Sequence, residues 1–396
     1  MRGLPVKGAQ ASRLPTYLFK ITWNESQVPE NQDSKVNPDA SLASEVKNFL
    51  LSQPEIGSIE ISTVRGTRLR FPEANQAAPF FCPDHAIHKP FEKPPKSAEQ
   101  LVSQLERRGL QIKDRALAIH WIQKVGYYRL SGYGLQFRSW DGAGKLTDDF
   151  LPGTRFEQLS ELYEFDRHLR LLALDGIERI EVAFRSRLND TMAERHGPHW
   201  FMNPALFIER RDDRTGALVF NHEEFIDNAY KEARRNKESL SIQHYFRTYG
   251  DPALPPCWML GEVLTMGTWS KVFGMLADRG DQKPVADFFR ASPPELTSWI
   301  HALTNLRNTC AHHSRLWDRR FVTCPSKKGN LKGVIDANDR LYAQLATALY
   351  CLWSIEPESK WLEHLSQLLM DYATVPLGPM GFPPDWQDRL RRMKRQ

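Results

Sequence analysis

Residues 154–197 read TRFEQLSELYEFDRHLRLLALDGIERIEVAFRSRLNDTMAERHG, the strongest helical signal in the chain. Leu159, Leu162, Phe165, Leu169, Leu172, Gly176, Ile180, Phe184 and Leu188 recur at steps of three and four, so one apolar stripe runs along a single face. Thr154 is read as the N-cap, with Glu157 three residues on to complete a capping box. Gly197-Pro198 stops the helix, since proline cannot continue it. A helix of this length needs neighbours to cover its stripe, and the ordinary solution is a helical bundle.

Working outward, the flanking sequence is also helical. Ser97 with Gln100 forms a capping box that opens a helix ending at Gly109. Asp114 caps a second helix, which Gly126 ends. Asp141-Gly142 and Pro152-Gly153 are turn signals around a hairpin from Phe137 to Phe150. Residues 203–256 read as a polar excursion with a charged helical stretch from Phe220 to Phe246. Pro255-Pro256 opens a helix running through Trp258, Leu260, Val263, Leu264 and Met266. Ser292 and Pro293 start another, which turns Leu296, Ile300, Leu303 and Leu306 inward. Two more patterns cover Asp336–Trp353 and Glu356–Tyr372, and the basic run Arg389–Arg395 reads as a solvated end.

The first 92 residues are different. Polar stretches dominate, with a short helical pattern over Ser41–Leu51 and a strand-like run over Ser58–Phe71. They read as a partly disordered extension, a small appended module, or translated sequence ahead of the true start. Residues 88–96 are rich in proline and lysine and read as a linker. The expected organisation is a variable extension over 1–92, an N-terminal helical region over 93–150, a bundle over 151–376 with an insertion near 203–254, and a basic tail over 377–396. The expected fold class is all-α.

Composition sets outer limits. The 396 residues are 41% hydrophobic and 26% charged, an ordinary balance for a chain with a sizeable core. The formal net charge of +5 permits an RNA partner without demanding one. Five cysteines without a CxxC pair argue against a zinc site or a disulfide frame and suit a reducing cytoplasm. Cys82, His85 and His88 lie close in sequence but lack the spacing of a closed metal site. No cofactor, metal or membrane span is expected, because there is no Gly-rich phosphate loop and no apolar run of about 18 residues.

The chemistry concentrates at Arg307-Asn308-Thr309-Cys310-Ala311-His312. Cleaving RNA without a metal requires removing the 2′-hydroxyl proton, protonating the 5′-oxygen and holding charge on the phosphate. Histidine suits the proton transfers and arginine, with its permanent bidentate charge, suits the phosphate. Asn308 adds an amide that can orient the histidine or donate to a phosphate oxygen. On an unbroken helix Asn308, His312 and Arg315 share a face, whereas Arg307 lies about 140° away from His312. Arg307 must then reach round, or the helix must loosen near Ala311. Spacing does not select this pair on its own: Arg115 and His120 have the same separation. A helix-end ion and hydrogen-bond cluster that satisfies backbone carbonyls is the plainer alternative.

From about Lys93 onward the chain resembles the abortive-infection, or Abi-like, family of bacterial phage-defence proteins. The matching segments are Lys93-Pro94-Pro95-Lys96-Ser97, Arg108-Gly109-Leu110-Gln111-Ile112, and Gly126-Tyr127-Tyr128-Arg129-Leu130-Ser131-Gly132-Tyr133. They continue through Phe165-Asp166-Arg167-His168-Leu169-Arg170, Ile177-Glu178-Arg179-Ile180-Glu181, Pro255-Pro256-Cys257-Trp258-Met259 and Leu264-Thr265-Met266-Gly267-Thr268-Trp269-Ser270. Leu306–His313 and Met380-Gly381-Phe382-Pro383-Pro384-Asp385-Trp386 complete the set. The resemblance implies a HEPN-like helical bundle in which Arg307 and His312 are catalytic and Asn308 supports them. It implies an endoribonuclease toxin whose products carry a 2′,3′-cyclic phosphate and a 5′-hydroxyl. The implied partners are substrate RNA, a small RNA or other antitoxin, and a second copy of the chain, since a homodimer would bring two motif histidines to one phosphate. A silent RNA-binding or scaffolding protein of a defence system is the alternative.

Supporting roles fall to His313, Arg315, Asp166, Arg170 and Glu181, any of which could hold a catalytic side chain or the phosphate. Asp166 with Arg170 also reads simply as an ion pair one helical turn apart. Tyr128 and Arg129 join an aromatic ring to a cation and are candidates for stacking on single-stranded RNA.

Overall fold

The computed structural model describes four strands between residues 17 and 72, and residues 93–211, 218–236 and 238–394. Chain contacts divide it into two units, Met1–Pro94 and Pro95–Gln396.

In the first unit, β1 (Tyr17–Trp23), β2 (Ser34–Val36), β3 (Ile56–Thr63) and β4 (Arg68–Pro72) form an antiparallel sheet in the order β2-β1-β3-β4. The strand-like run over Ser58–Phe71 is thus two strands folded back on each other, with Ser58 opposite Pro72 and Ser62 opposite Arg68. The helical pattern over Ser41–Leu51 and the Cys82, His85 and His88 group lie outside the described residues.

The second unit is helical apart from one hairpin. It opens with α1 (Ala98–Arg107), α2 (Arg115–Val125) and α3 (Tyr127–Gly134). Ser97 and Gln100 make the expected reciprocal cap, and Asp114 accepts from the Leu117 amide. The hairpin pairs β5 (Arg138–Trp140) with β6 (Leu146–Phe150). These elements enclose a small core of Val102, Leu105, Leu110, Ala118, Ile122, Leu130, Phe150, Phe156 and Leu159.

The long helix α4 spans Phe156–His196, 41 residues. It starts one residue later than a cap at Thr154 implies. Arg155 holds the N-cap position, the Gln158 side chain accepts from its amide, and the Thr154 hydroxyl instead donates to the Leu151 carbonyl. Both Thr154–Glu157 and Arg155–Gln158 have capping-box spacing, and the Pro152-Gly153 turn decides between them. Beyond α4 come α5 (His222–Arg235), α6 (Leu240–Thr248), α7 (Cys257–Val263), α8 (Met266–Gly274), α9 (Arg279–Phe288) and α10 (Pro293–Ala311). The chain closes with α11 (Leu341–Ile355), α12 (Trp361–Asp371) and α13 (Trp386–Lys394). The long helix packs against α3 and α7 to α12, so one large core surrounds its apolar stripe.

Four further expectations are corrected or narrowed. The helix after Pro256 breaks at Leu264, and a new one begins where Thr265 accepts from the Thr268 amide. The stretch over 203–256, read as a polar excursion, also has an apolar side: Phe225, Ala229, Ala233 and Leu254 join the main core. The helix expected from Asp336 starts only at Leu341, and every residue from Leu341 to Trp353 is buried, so it is the central helix of the bundle. The basic C-terminal run, described as far as Lys394, is solvated on one side only, with Arg391, Arg392 and Lys394 exposed. It forms α13, which buries Leu390 and Met393 and packs on α11, while Arg389 pairs with Asp336 and Asp385.

Candidate functional site

The helix α10 carries the motif at its C-terminal end. Ser292 and Glu295 cap its start, and Leu296, Ile300, Leu303 and Leu306 are all fully buried. That buried face fixes the helix in the core and leaves its last turn at the surface, where Arg307 is half-exposed and Asn308 and His312 are exposed.

The helix does not continue through the motif. It ends at Ala311, with His312 at the C-cap and His313 in the left-handed region at φ 55°. The His313 amide donates to the Cys310 carbonyl and the Ser314 amide to the Thr309 carbonyl, both at 2.9 Å. This is a Schellman turn, in which backbone groups satisfy the last carbonyls of the helix. The Thr309 and Cys310 carbonyls are thus satisfied without the side chains of Arg307 and His312. Among the described residues the His312 imidazole makes no hydrogen bond.

Arg307 points toward the long helix. Its Nε lies 3.5 Å from Glu181 Oε2, and its Nη1 donates to Asn308 Oδ1 at 3.4 Å. Glu181 also lies 4.0 Å from Arg185, which lies 3.9 Å from Glu262 on α7. A row of alternating charge therefore runs from the motif across two helices. Arg185 and Glu262 were not singled out by the sequence; the only signal was the spacing of Arg185 one turn from Glu181. Glu178 is exposed and forms no ion pair among the described residues.

Asp166 and Arg170 are not a surface pair. Asp166 is fully buried and accepts from four partners: the Arg170 guanidinium, the Tyr133 hydroxyl at 2.7 Å, and the amides of Leu316 and Trp317 at 3.0 and 2.7 Å. Burial pushes its carboxyl up from the usual carboxylate range, against the pull of Arg170, Tyr133 and the two amides. Burial and the adjoining Asp166 likewise push the Tyr133 phenol up, so it stays protonated and donates. The loop that leaves the motif is thereby tied to the long helix and to α3.

Two arginine–carbonyl bonds reinforce the tie. Arg129 on α3 donates to the His313 carbonyl, and Arg315 beyond the motif donates back to the Gly132 carbonyl. Both residues considered for phosphate or RNA contact thus make structural bonds in the folded chain. Tyr128 beside Arg129 is different, a residue 93% exposed. Cys310, inside the motif, is buried, and burial pushes its thiol up to about 12, which removes it as a nucleophile. Arg115 and His120 share the motif's separation but lie on α2, where Arg115 pairs with Glu106 and donates to Ser103 of α1. No group of histidine, cysteine, aspartate and glutamate suited to a metal occurs among the described residues.

The family profile of Abi-like proteins matches residues 120–318, about half of the chain and the part that holds α3, the long helix and the motif. The chain belongs to the Abi-like family, and that membership points to abortive-infection defence. The resembling segments at Lys93–Ser97, Arg108–Ile112 and Met380–Trp386 lie outside the matched span. Neither a curated protein nor a solved structure matches the chain. No described helix is long and apolar enough to cross a membrane.

Proposed function

We propose that the chain is a metal-independent endoribonuclease of the HEPN type, acting as an RNA-cleaving toxin in abortive infection. Arg307 holds the phosphate, Asn308 supports it, and His312 moves a proton. The reaction joins the 2′-oxygen to phosphorus and expels the 5′-oxygen, leaving a 2′,3′-cyclic phosphate and a 5′-hydroxyl. The observation that carries this reading is the wet end of α10: an arginine, an amide and an imidazole stand at the surface while backbone bonds satisfy the helix end without them. A bidentate cation and a group able to exchange a proton near neutrality are what this chemistry requires. A homodimer is the simplest way to bring a second motif histidine to the same phosphate.

Purified protein incubated with single-stranded RNA in EDTA tests the proposal. Wild type is expected to cut and to leave cyclic phosphate ends, and Arg307→Ala and His312→Ala to lose the activity. Equal cleavage by the variants would sink the assignment. RNA bound but left uncut by wild type would favour a silent RNA-binding protein instead.

A further inference from the structure

The turn that ends α10 demands a left-handed residue, and glycine or asparagine is the usual occupant. Here the position is filled by His313 at φ 55°. A side chain strains the backbone in this region, and such strain concentrates at functional sites. The surroundings hold the strained residue through its main chain: its amide donates to Cys310, and its carbonyl accepts from Arg129. A glycine could make both bonds. The imidazole is exposed and makes no hydrogen bond among the described residues. It is therefore the one group at this position that the fold does not use, and it adjoins the motif histidine His312 in the chain.

We infer that His313 is the second proton-transfer residue of the site, an inference that rests on the ribonuclease reading above. Transesterification of an RNA phosphodiester removes one proton and delivers one. One imidazole takes the 2′-hydroxyl proton as the 2′-oxygen bonds to phosphorus. The imidazolium of the other gives its proton to the 5′-oxygen as the bond from phosphorus to that oxygen breaks. Solvent then restores both protonation states, so no metal or co-reactant enters the balance. Consecutive histidines at a broken helix end give one copy of the chain both groups, whether or not a partner copy adds its own motif histidine.

The test compares wild type, His312→Ala and His313→Gly on ordinary single-stranded RNA and on the same RNA with sulfur replacing one bridging 5′-oxygen. Sulfur leaves without a proton, so it bypasses the acid. His313→Gly is expected to melt no lower than wild type, because glycine suits the left-handed turn. It is expected to cut ordinary RNA about 10²-fold more slowly, the usual loss for a missing proton-transfer group. One of the two variants, the one lacking the acid, is expected to recover on the sulfur substrate. Cleavage of ordinary RNA by His313→Gly at the wild-type rate would overturn the inference while leaving the ribonuclease reading intact. Loss of activity in both variants with rescue of neither would also overturn it. Recovery of cleavage on mixing His312→Ala with His313→Gly would put the two histidines on different copies and overturn the single-chain arrangement. An inactive wild type, or an active His312→Ala, would instead sink the ribonuclease reading and this inference with it.

Discussion

The Asp166 carboxylate accepts the Trp317 amide at 2.7 Å, joining the N-terminal third of the long helix to the loop that leaves the motif. The same carboxylate is the counter-charge of buried Arg170. Asp166→Asn removes that charge and leaves a guanidinium in the core without its partner. Breaking a buried pair from one side costs about 3–5 kcal/mol. Urea unfolding should show a loss of that order, accompanied by loss of cleavage. A variant as stable as wild type would mean that the network does not hold the loop.

Gly176 lies in the apolar stripe, and the reason for a glycine there is Trp361. A β-carbon at 176 would stand 2.9 Å from the Trp361 Nε1, which donates to the Leu172 carbonyl. Gly176→Ala must push the indole off that bond, and overpacking of this kind costs about 1–3 kcal/mol. Gly132 on α3 is the control, since a β-carbon there meets nothing within 4 Å. Gly132→Ala is expected to raise stability by about 0.4–1 kcal/mol, as helical alanine restricts the unfolded chain. Thermal melts that fail to separate the two variants would contradict the contact.

These glycines mark what a sequence can and cannot disclose. Local signals were legible: the caps at Ser97, Asp114 and Ser292, the stop at Gly126 and the stripe of the long helix all depend on neighbours within a few residues. Features set by distant partners were not. The chain offers nothing near Gly176 to announce Trp361, and nothing near Asp166 to announce the Leu316 and Trp317 amides. The motif was half-legible for the same reason. Helical geometry demanded that the helix loosen near Ala311 or that Arg307 reach round. The turn itself was hidden, because its left-handed residue is His313 and not the glycine that usually signals one.

Tyr128 is exposed enough to be removed without touching the core. Its neighbour in the chain, Arg129, holds the His313 carbonyl next to the motif. If it stacks on a base of single-stranded RNA, Tyr128→Ala should weaken RNA binding by about 1–3 kcal/mol. The melting temperature should not move. Fluorescence anisotropy with a short single-stranded RNA measures the effect, and unchanged affinity would remove Tyr128 from the site.

Cys310 sits two residues before His312, yet burial keeps its thiol neutral up to about 12. At pH 8 the thiolate fraction is then about 10⁻⁴. Ellman's reagent should react with this thiol only after unfolding, and Cys310→Ala should cleave RNA with the wild-type pH profile. A fast-reacting Cys310 in the folded protein would show that the motif turn opens in solution.

Glu181 faces Arg307 at a distance too long for a strong hydrogen bond, 3.5 Å, with Arg307 half-exposed and Glu181 nearly covered. Such a contact attracts without locking, which suits an arginine that must turn to a phosphate. Its worth to stability is about 0–1 kcal/mol, so Glu181→Gln should fold as wild type does. Glutamine still offers an acceptor to the guanidinium, and its cleavage rate should fall by no more than about tenfold. Glu181→Lys sets a like charge against Arg307 and drives it from the motif, so the loss should approach that of Arg307→Ala. The two substitutions separate charge from shape at one position. Steady-state kinetics should put the Lys defect in kcat as well as KM, because a displaced arginine fails the phosphorane and not only the ground-state phosphate. Wild-type cleavage by Glu181→Lys would mean that Arg307 works without guidance from the long helix.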